Sequence, residues 1–113
     1  MINNKIKGNL GEINAQEYVK KLGYKIIETN FKTKFGEVDI IAQDKNYIVF
    51  IEVKYRTSLK YGRPSEAVNG YKQNKIKLVA QFYIQKYNLI KQFYRFDVLE
   101  IWNNDINYII NAF

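Results

Sequence analysis

The spacing of apolar positions along the chain predicts helices and strands in a regular alternation. Residues 4–22 and 65–87 carry apolar stripes at helical spacing, and Gly23 follows the first stripe as a helix stop. Further segments are rich in β-branched and aromatic residues and predict strands: 24–30, 37–43, 47–55, 93–102 and 106–110. The resulting order, αβββαββ, favours a single α/β domain over residues 1–113, with one mixed sheet flanked by helices.

Turn-forming residues separate these segments. Residues 44–46 predict a tight turn, so the strands on either side of it should form an antiparallel hairpin. Residues 31–35 are read as a basic connection, and Gly36 opens the strand after it. Residues 57–64 contain the only proline of the chain and predict an exposed loop.

Charged side chains interrupt the apolar runs of the predicted hairpin. Because side chains alternate along a strand, Glu52 and Lys54 share one face, and pairing can bring Asp39 beside Glu52. On the helices, the apolar stripes pass through Glu12 and Lys72. Burying an ionised group without a partner costs several kcal/mol, so these inward-facing charges require compensation.

Two kinds of site can compensate these charges. A divalent cation between Asp39 and Glu52 would relieve their repulsion, activate water and polarise a phosphoryl oxygen, while Lys54 stabilises developing charge. A buried salt bridge of Glu52 or Asp39 with Lys54 or Arg56 would instead satisfy the charges without chemistry. Taken alone, Glu12 can be stabilised at a helix N-terminus, and Lys72 can extend to solvent.

The composition limits the available chemistry to carboxylates, amines and hydroxyls. The 113 residues include neither cysteine nor histidine, which excludes disulfides, thiol nucleophiles, serine-histidine triads and imidazole-bound transition metals. Mg²⁺ or Mn²⁺ held by oxygen ligands suits this inventory. The net charge of +7 favours a polyanionic partner, foremost nucleic acid. With no long apolar run and no secretory signal pattern, the sequence predicts a cytoplasmic protein without a membrane segment.

Short motifs over nearly the whole chain resemble those of a known family. Asp39, followed by Glu52-Val53-Lys54, resembles the PD-(D/E)XK nuclease motif, although Val38 stands where the motif's name has proline. The strings around it are more specific: GxxGE at 8–12, GY at 23–24, GEVDIIA at 36–42, FIEVKYR at 50–56, YGRPSEAV at 61–68 with Lys72, and RFDVL at 95–99. Together they resemble the bacterial YraN-like family, which is grouped with restriction endonuclease-like folds and archaeal Holliday-junction resolvases.

This resemblance implies a restriction endonuclease-like, three-layer αβα fold with a central mixed β-sheet. It also implies a nuclease-type metal site that contains Glu12, Asp39, Glu52 and Lys54. Family members commonly carry arginines around the asparagine after the second element. This chain has Asn30-Phe31-Lys32 there, and lysine offers a phosphate only a point charge.

The leading hypothesis is an endonuclease, dependent on Mg²⁺ or Mn²⁺, that hydrolyses phosphodiester bonds in DNA, including branched or otherwise structured DNA. Asp39, Glu52 and Glu12 would hold the metal. The backbone carbonyl of Val53 is a further ligand, and Lys54 would assist the attacking water. Nucleic-acid contacts are expected from Lys72, Arg56, Lys60, Arg63, Lys32 and Lys34.

Other hypotheses stay open at this point. The chain can be a non-catalytic nucleic-acid-binding module that kept a nuclease fold, or a protein interaction module that uses the aromatic strand 93–102. Tyr55, Tyr61 and Tyr71 can pack in the core and rim or stack on an unpaired base. The apolar tail 107–113 can form a core strand or the interface of a homodimer.

Overall fold

The computed structural model describes residues 14–56, 69–102 and 105–113. Within these ranges the chain has the mixed α/β architecture expected from the sequence, with helices packed on a five-stranded sheet. The helices are α1 at 14–21 and α2 at Gly70–Lys86. The strands are β1 Lys25–Thr33, β2 Gly36–Asp44, β3 Tyr47–Arg56, β4 Phe93–Trp102 and β5 Asp105–Ile109.

The strands lie in the sheet in chain order, β1-β2-β3-β4-β5. The β1–β2, β2–β3 and β4–β5 pairs are antiparallel, and β3–β4 is parallel. The predicted β2–β3 hairpin is therefore confirmed, with Lys45 in the turn at a φ of 54°. A parallel pair requires a long crossover, and α2 lies within the segment that connects β3 to β4.

Apolar side chains cover both faces of the sheet. On one face, Val49 and Ile51 of β3 join Ala15 and Val19 of α1 in a buried cluster. On the other face, Phe50 packs in a second cluster with the buried side chains of α2, which are Ile76, Val79, Ala80 and Tyr83. A central strand that is apolar on both faces requires cover on both, and this arrangement is consistent with three αβα layers.

The predicted basic connection 31–35 is wrong, because β1 continues through Thr33. Residues 31–33 pair with residues 36–38 of β2, so only residues 34 and 35 form the turn. Phe31 explains the difference: its side chain is buried in the α2-side core, and this burial outweighs the lysines beside it. Gly36 opens β2 as predicted, at a φ of 146° that side chains rarely adopt.

The second helix is shorter than the predicted 65–87. Asn69 has extended backbone, with φ −75° and ψ 173°, and its side chain accepts a hydrogen bond from Lys72 N at 2.9 Å. It therefore caps the N-terminus of α2, which begins at Gly70. Residues 65–68 lie outside the described part of the chain.

The first helix ends at the predicted glycine. Gly23 has a φ of 90° and donates to Lys20 O at 3.0 Å, while Tyr24 donates to Val19 O at 3.4 Å, the paired bonds of a Schellman motif. The part of this predicted helix before residue 14, including Glu12, lies outside the described ranges. Among the described residues, no helix combines the length and apolar character needed to cross a membrane.

The C-terminal tail packs on the protein's own sheet. Ala112 donates its backbone N–H to Phe96 O at 2.8 Å, and the Phe113 and Phe96 rings stack with centroids 5.3 Å apart. These contacts account for the apolar character of the last residues within one chain. A homodimer remains a prediction.

Candidate functional site

Asp39 and Glu52, two of the predicted acidic residues, lie where β2 and β3 separate. Ladder pairing between the two strands ends with Ile40 opposite Ile51. Beyond that point Val53 donates its backbone N–H to Asp39 Oδ2 at 2.8 Å, so a side chain replaces a main-chain acceptor. This hydrogen bond fixes one carboxylate oxygen of Asp39 next to the backbone that carries Glu52.

The twist of β2 at this point is visible in its packing. Val38 and Ile41 both join the α2-side core, whereas Ile40 joins the α1-side core. Strict alternation would put Val38 and Ile40 on one face, so the strand turns about its axis around Asp39. The two strands thus diverge beyond Ile40 and Ile51, and this point of divergence, called the opening, has the Asp39 carboxylate at its edge.

Glu52 is the most enclosed acid of this opening. Glu52 is only 6% exposed and lies on the α2 side of β3. Its Oε1 atom lies 2.7 Å from Lys72 Nζ and 3.7 Å from Lys54 Nζ. The prediction that Glu52 and Lys54 share a face is therefore confirmed in the structure. Two ammonium groups compensate a carboxylate that would otherwise be costly to bury.

Lys72 reaches Glu52 because α2 begins just before it. The Asn69 cap holds the backbone N–H of Lys72 in the first helical turn. A cation there opposes the helix dipole, whose N-terminal end is positive, so the position does not favour the helix itself. The ion pair with Glu52 is the interaction that this placement provides.

The environment keeps Lys72 charged. Burial alone would lower the pKa of its ammonium group, but the hydrogen bond to Glu52 and the negative charges of Glu52 and Asp39 outweigh burial and raise it. Asp39 thus lies close enough to Lys72 for its negative charge to help raise the pKa of the lysine. The site is therefore a group of two acids and two lysines whose charges interact.

A small gap, too narrow to hold a water molecule, lies beside Asp39 on the side of the first helix. Its lining includes Asp39, Asn30, Val53 and Gln16 of α1. Glu12 lies four residues before Gln16 in the sequence, outside the described residues.

Oxygen donors of the kind that Mg²⁺ and Mn²⁺ prefer are present at this opening. Asp39 and Glu52 supply two carboxylates from adjacent strands, which fits a hard divalent cation. Within the described ranges, no group of three acidic side chains converges as a metal site. A third carboxylate, as predicted for Glu12, would have to come from outside those ranges.

The predicted nucleic-acid contacts are only partly located. Lys32 is exposed on β1 opposite Glu37, and Lys34 is exposed in the β1–β2 turn with its amine 5.2 Å from the Phe35 ring centroid. Both belong to the hairpin that leads into Asp39. Lys60 and Arg63 lie outside the described residues, as does the side chain of Arg56.

Sequence reasoning missed one buried acid next to the site. Glu100 of β4 is 5% exposed and is the register partner of Lys54 in the parallel pair, so both side chains lie on the α2 face. Asn107 donates to its Oε1 at 2.8 Å. The signal was present, because Glu100 interrupts an apolar run just as Glu52 does.

A second buried charge cluster lies on the opposite face. Arg95 donates from Nε and Nη2 to Asp97, from Nη1 to Asp44 at 3.0 Å, and from Nη2 to Tyr24 at 2.8 Å. Asp97, with no exposure, also accepts from the Tyr108 hydroxyl and from a backbone N–H. Every charge has partners here, so the RFDVL motif supplies a structural network rather than an open site.

Comparison with known proteins agrees with the motifs of the chain. The Uncharacterised protein family UPF0102 matches residues 11–101. A UPF0102 protein of Caldicellulosiruptor saccharolyticus is 49% identical over an alignment of 118 residues, gaps included, which covers 99% of this chain and 100% of that protein. One from Caldanaerobacter subterraneus subsp. tengcongensis is 49% identical over 119 residues, covering 99% and 98%. One from Clostridium botulinum is 55% identical over 105 residues, covering 92% and 85%. The chain therefore belongs to the UPF0102 family, the YraN-like family that its motifs resemble.

Proposed function

We propose that this protein is a divalent-metal-dependent endonuclease on a restriction endonuclease-like fold, and that it hydrolyses phosphodiester bonds in DNA. The observation that carries the proposal is the group formed by Asp39, Glu52, Lys54 and Lys72 where β2 and β3 separate. Acids on neighbouring strands can hold a divalent cation, and a lysine beside them can stabilise negative charge on a phosphate, which are features that metal-assisted hydrolysis uses. Branched or otherwise structured DNA is the proposed substrate form, and the cytoplasm is the proposed location.

Each residue has a role that follows from its position. Asp39, held by the Val53 N–H, and Glu52 would bind Mg²⁺ or Mn²⁺. The bound metal would polarise the phosphoryl oxygen and lower the pKa of a water molecule. Lys54 lies 3.7 Å from Glu52 Oε1, where its ammonium group would orient the attacking water or stabilise charge on the phosphate. Lys72 would offer a second positive charge to the substrate backbone.

One observation favours a second candidate function. Lys72 already lies 2.7 Å from Glu52, so the buried carboxylate is compensated by a cation of the chain itself. A stable ion-pair cluster of this kind would suit a module that binds nucleic acid without cleaving it. Such a module would bind DNA equally well with and without divalent ions, since phosphate neutralisation alone would drive binding.

Calorimetric titration with Mn²⁺ separates the two functions. Asn at position 39 can still accept the Val53 N–H, so Asp39→Asn should fold normally while losing the charge that binds the metal. We expect wild type to bind Mn²⁺ and the variant to bind it at least about tenfold more weakly. Asp105→Asn, an exposed position at the start of β5, is the control and should titrate as wild type does. Equal Mn²⁺ affinity in wild type and Asp39→Asn would contradict the metal site and support the binding module.

A further inference from the structure

An exposed row of basic and aromatic side chains runs along one flank of α2. The row, called the α2 stripe, consists of Tyr71, Lys75, Leu78, Phe82 and Lys86. These positions follow one another at intervals of three or four residues, so they form a line along the helix. Tyr71 is 71% exposed and Phe82 is 46% exposed. The stripe is separate from the buried face of α2 and is open to solvent.

Lysine amines of the stripe lie near aromatic rings, one ring in the stripe itself and one in the neighbouring strand β1. Lys75 Nζ lies 4.9 Å from the Tyr71 ring centroid, and Lys86 Nζ lies 5.8 Å from that of Phe31. The Phe82 ring packs beside Phe31 with a centroid distance of 6.3 Å. Phe31 belongs to β1, so the stripe lies on the flank of α2 that faces the β1–β2 hairpin. Charge and stacking surface therefore alternate along one line.

The charge of this helix is of one sign. Residues 70–86 include four lysines and no acidic residue. Lys34, in the neighbouring hairpin, adds a further exposed cation, and Gly36 of that hairpin lies against Lys75. A described acid near the far end is Glu28, whose charge reaches Tyr83. Polyanions are favoured along most of the stripe, in keeping with the net charge of +7.

The stripe begins at the candidate site. Tyr71 directly precedes Lys72, whose amine lies 2.7 Å from Glu52 Oε1. From Tyr71 to Phe82 is a distance of about 16 Å along the helix, so the two rings would meet different bases of one strand. A chain of nucleotides lying on the stripe would therefore lead towards Lys72 and the acid that it contacts.

From this arrangement we infer that the α2 stripe binds an unpaired strand of nucleic acid and guides it to the acidic site. In a duplex the base faces are covered by their neighbours, so exposed rings gain little from it. In an unpaired strand the bases stack on Tyr71 and Phe82 while Lys75, Lys86 and Lys34 neutralise phosphates. The inference rests on the proposed function, and it names the substrate class as DNA with a single-stranded segment.

The test measures binding without metal, so that it does not depend on catalysis. Fluorescence anisotropy of a labelled oligothymidine of about 15 nucleotides is recorded with the full chain in EDTA, beside a duplex of equal length. Tyr71→Leu and Phe82→Leu should each weaken oligothymidine binding by about fivefold or more and leave duplex binding unchanged. Lys75→Gln should reduce the slope of log affinity against log salt by about 0.7.

Matched controls make the test specific. Lys77 lies on the other flank of α2, near the Phe96 and Phe113 rings, and Lys77→Gln should retain wild-type affinity within about twofold. Tyr71 is largely exposed, so its variant tests stacking without risk to the core. Full affinity of Tyr71→Leu for oligothymidine, an equal loss on duplex, or binding of anionic vesicles without oligothymidine would each overturn the inference.

The proposed function can fail independently of this result. If wild type cleaves DNA but Tyr71→Leu binds oligothymidine as tightly as wild type does, the inference about the stripe fails and the nuclease function stands. If oligothymidine binding depends on Tyr71 but the wild-type protein cleaves no DNA, the inference about the stripe stands and the nuclease function fails.

Discussion

Replacing Lys72 by methionine should make the acidic site a stronger binder of divalent metal. Lys72 Nζ lies 2.7 Å from Glu52 Oε1, so the lysine and a metal compete for the same carboxylate. A hydrogen bond between charged groups contributes about 1.5–3 kcal/mol. The Lys72 side chain is 39% exposed, and solvent screening reduces this figure to about 1–1.5 kcal/mol. Removing the competitor should therefore tighten Mn²⁺ binding about five- to tenfold.

Isothermal titration of Mn²⁺ into wild type and Lys72→Met measures this change directly. Lys75→Met is the matched control, because its amine lies over Tyr71 rather than on Glu52. It removes the same formal charge one turn further along α2 and should change Mn²⁺ affinity by less than about twofold. Equal affinities of Lys72→Met and wild type, or weaker binding by the variant, would refute competition for Glu52.

Three further predictions concern stability. Asp97 has no exposure, and Asp97→Asn should lower the free energy of unfolding by about 3 kcal/mol or more, measured in urea. The exposed control Asp105→Asn should lower it by less than about 0.5 kcal/mol. A loss below about 1 kcal/mol for Asp97→Asn would contradict a stabilising network around Arg95 and Asp97. Gly36→Ala should cost about 1–3 kcal/mol because φ is 146°, whereas Gly70→Ala, with open space around it, should cost nothing measurable by the same method. Burial and the hydrogen bond to Asp97 raise the pKa of Tyr108 above its usual value near 10. The folded state then keeps a proton that the unfolded chain loses, so stability should fall as pH rises above about 10, by up to about 1.4 kcal/mol per pH unit. Tyr108→Phe should flatten that decline, and an unchanged slope would assign it to other groups.

The pairing of Glu52 with Lys54 could be predicted from sequence because it depends only on the alternation of side chains along a strand. The same rule, applied to hairpin pairing, predicted Asp39 beside Glu52; ladder pairing stops one residue short of this pair, and the charges of both acids act on Lys72. It could not predict the hydrogen bond from Val53 to Asp39, since that bond exists only because ladder pairing ends at Ile40 and Ile51. Where two strands separate is decided by packing of the whole sheet rather than by local pattern.

The misplaced boundaries have equally physical causes. Phe31 lies among lysines, and the local composition resembled a loop, but burial of one aromatic ring extends β1 to Thr33. The start of α2 depends on a single hydrogen bond from the Asn69 side chain, which a stripe of apolar positions does not reveal. Glu100 was visible as a charge within an apolar run, but its position beside Lys54 depends on the parallel pairing of β3 with β4, which a local pattern does not reveal.

The interaction of Lys72 with Glu52 was the least predictable feature of the site. Its position on the buried stripe of α2 was visible, and extension to solvent was the simpler interpretation for a lone lysine. Contact with Glu52 requires that the N-terminus of α2 lie over β3, which follows from the crossover between parallel strands. The tertiary structure therefore brings into one site two charges that the sequence shows only separately.

Cleavage of a panel of linear, flapped and four-way DNA in the presence of Mn²⁺, by wild type and by Asp39→Asn, is the most direct test of the nuclease assignment. We predict that wild type cleaves at least one member with a single-stranded segment, and that Asp39→Asn loses about a hundredfold or more of this activity while binding the same DNA. Asp105→Asn should cleave as wild type does. Cleavage that persists in Asp39→Asn, or no cleavage of any panel member by a folded wild-type protein that binds them, would contradict it.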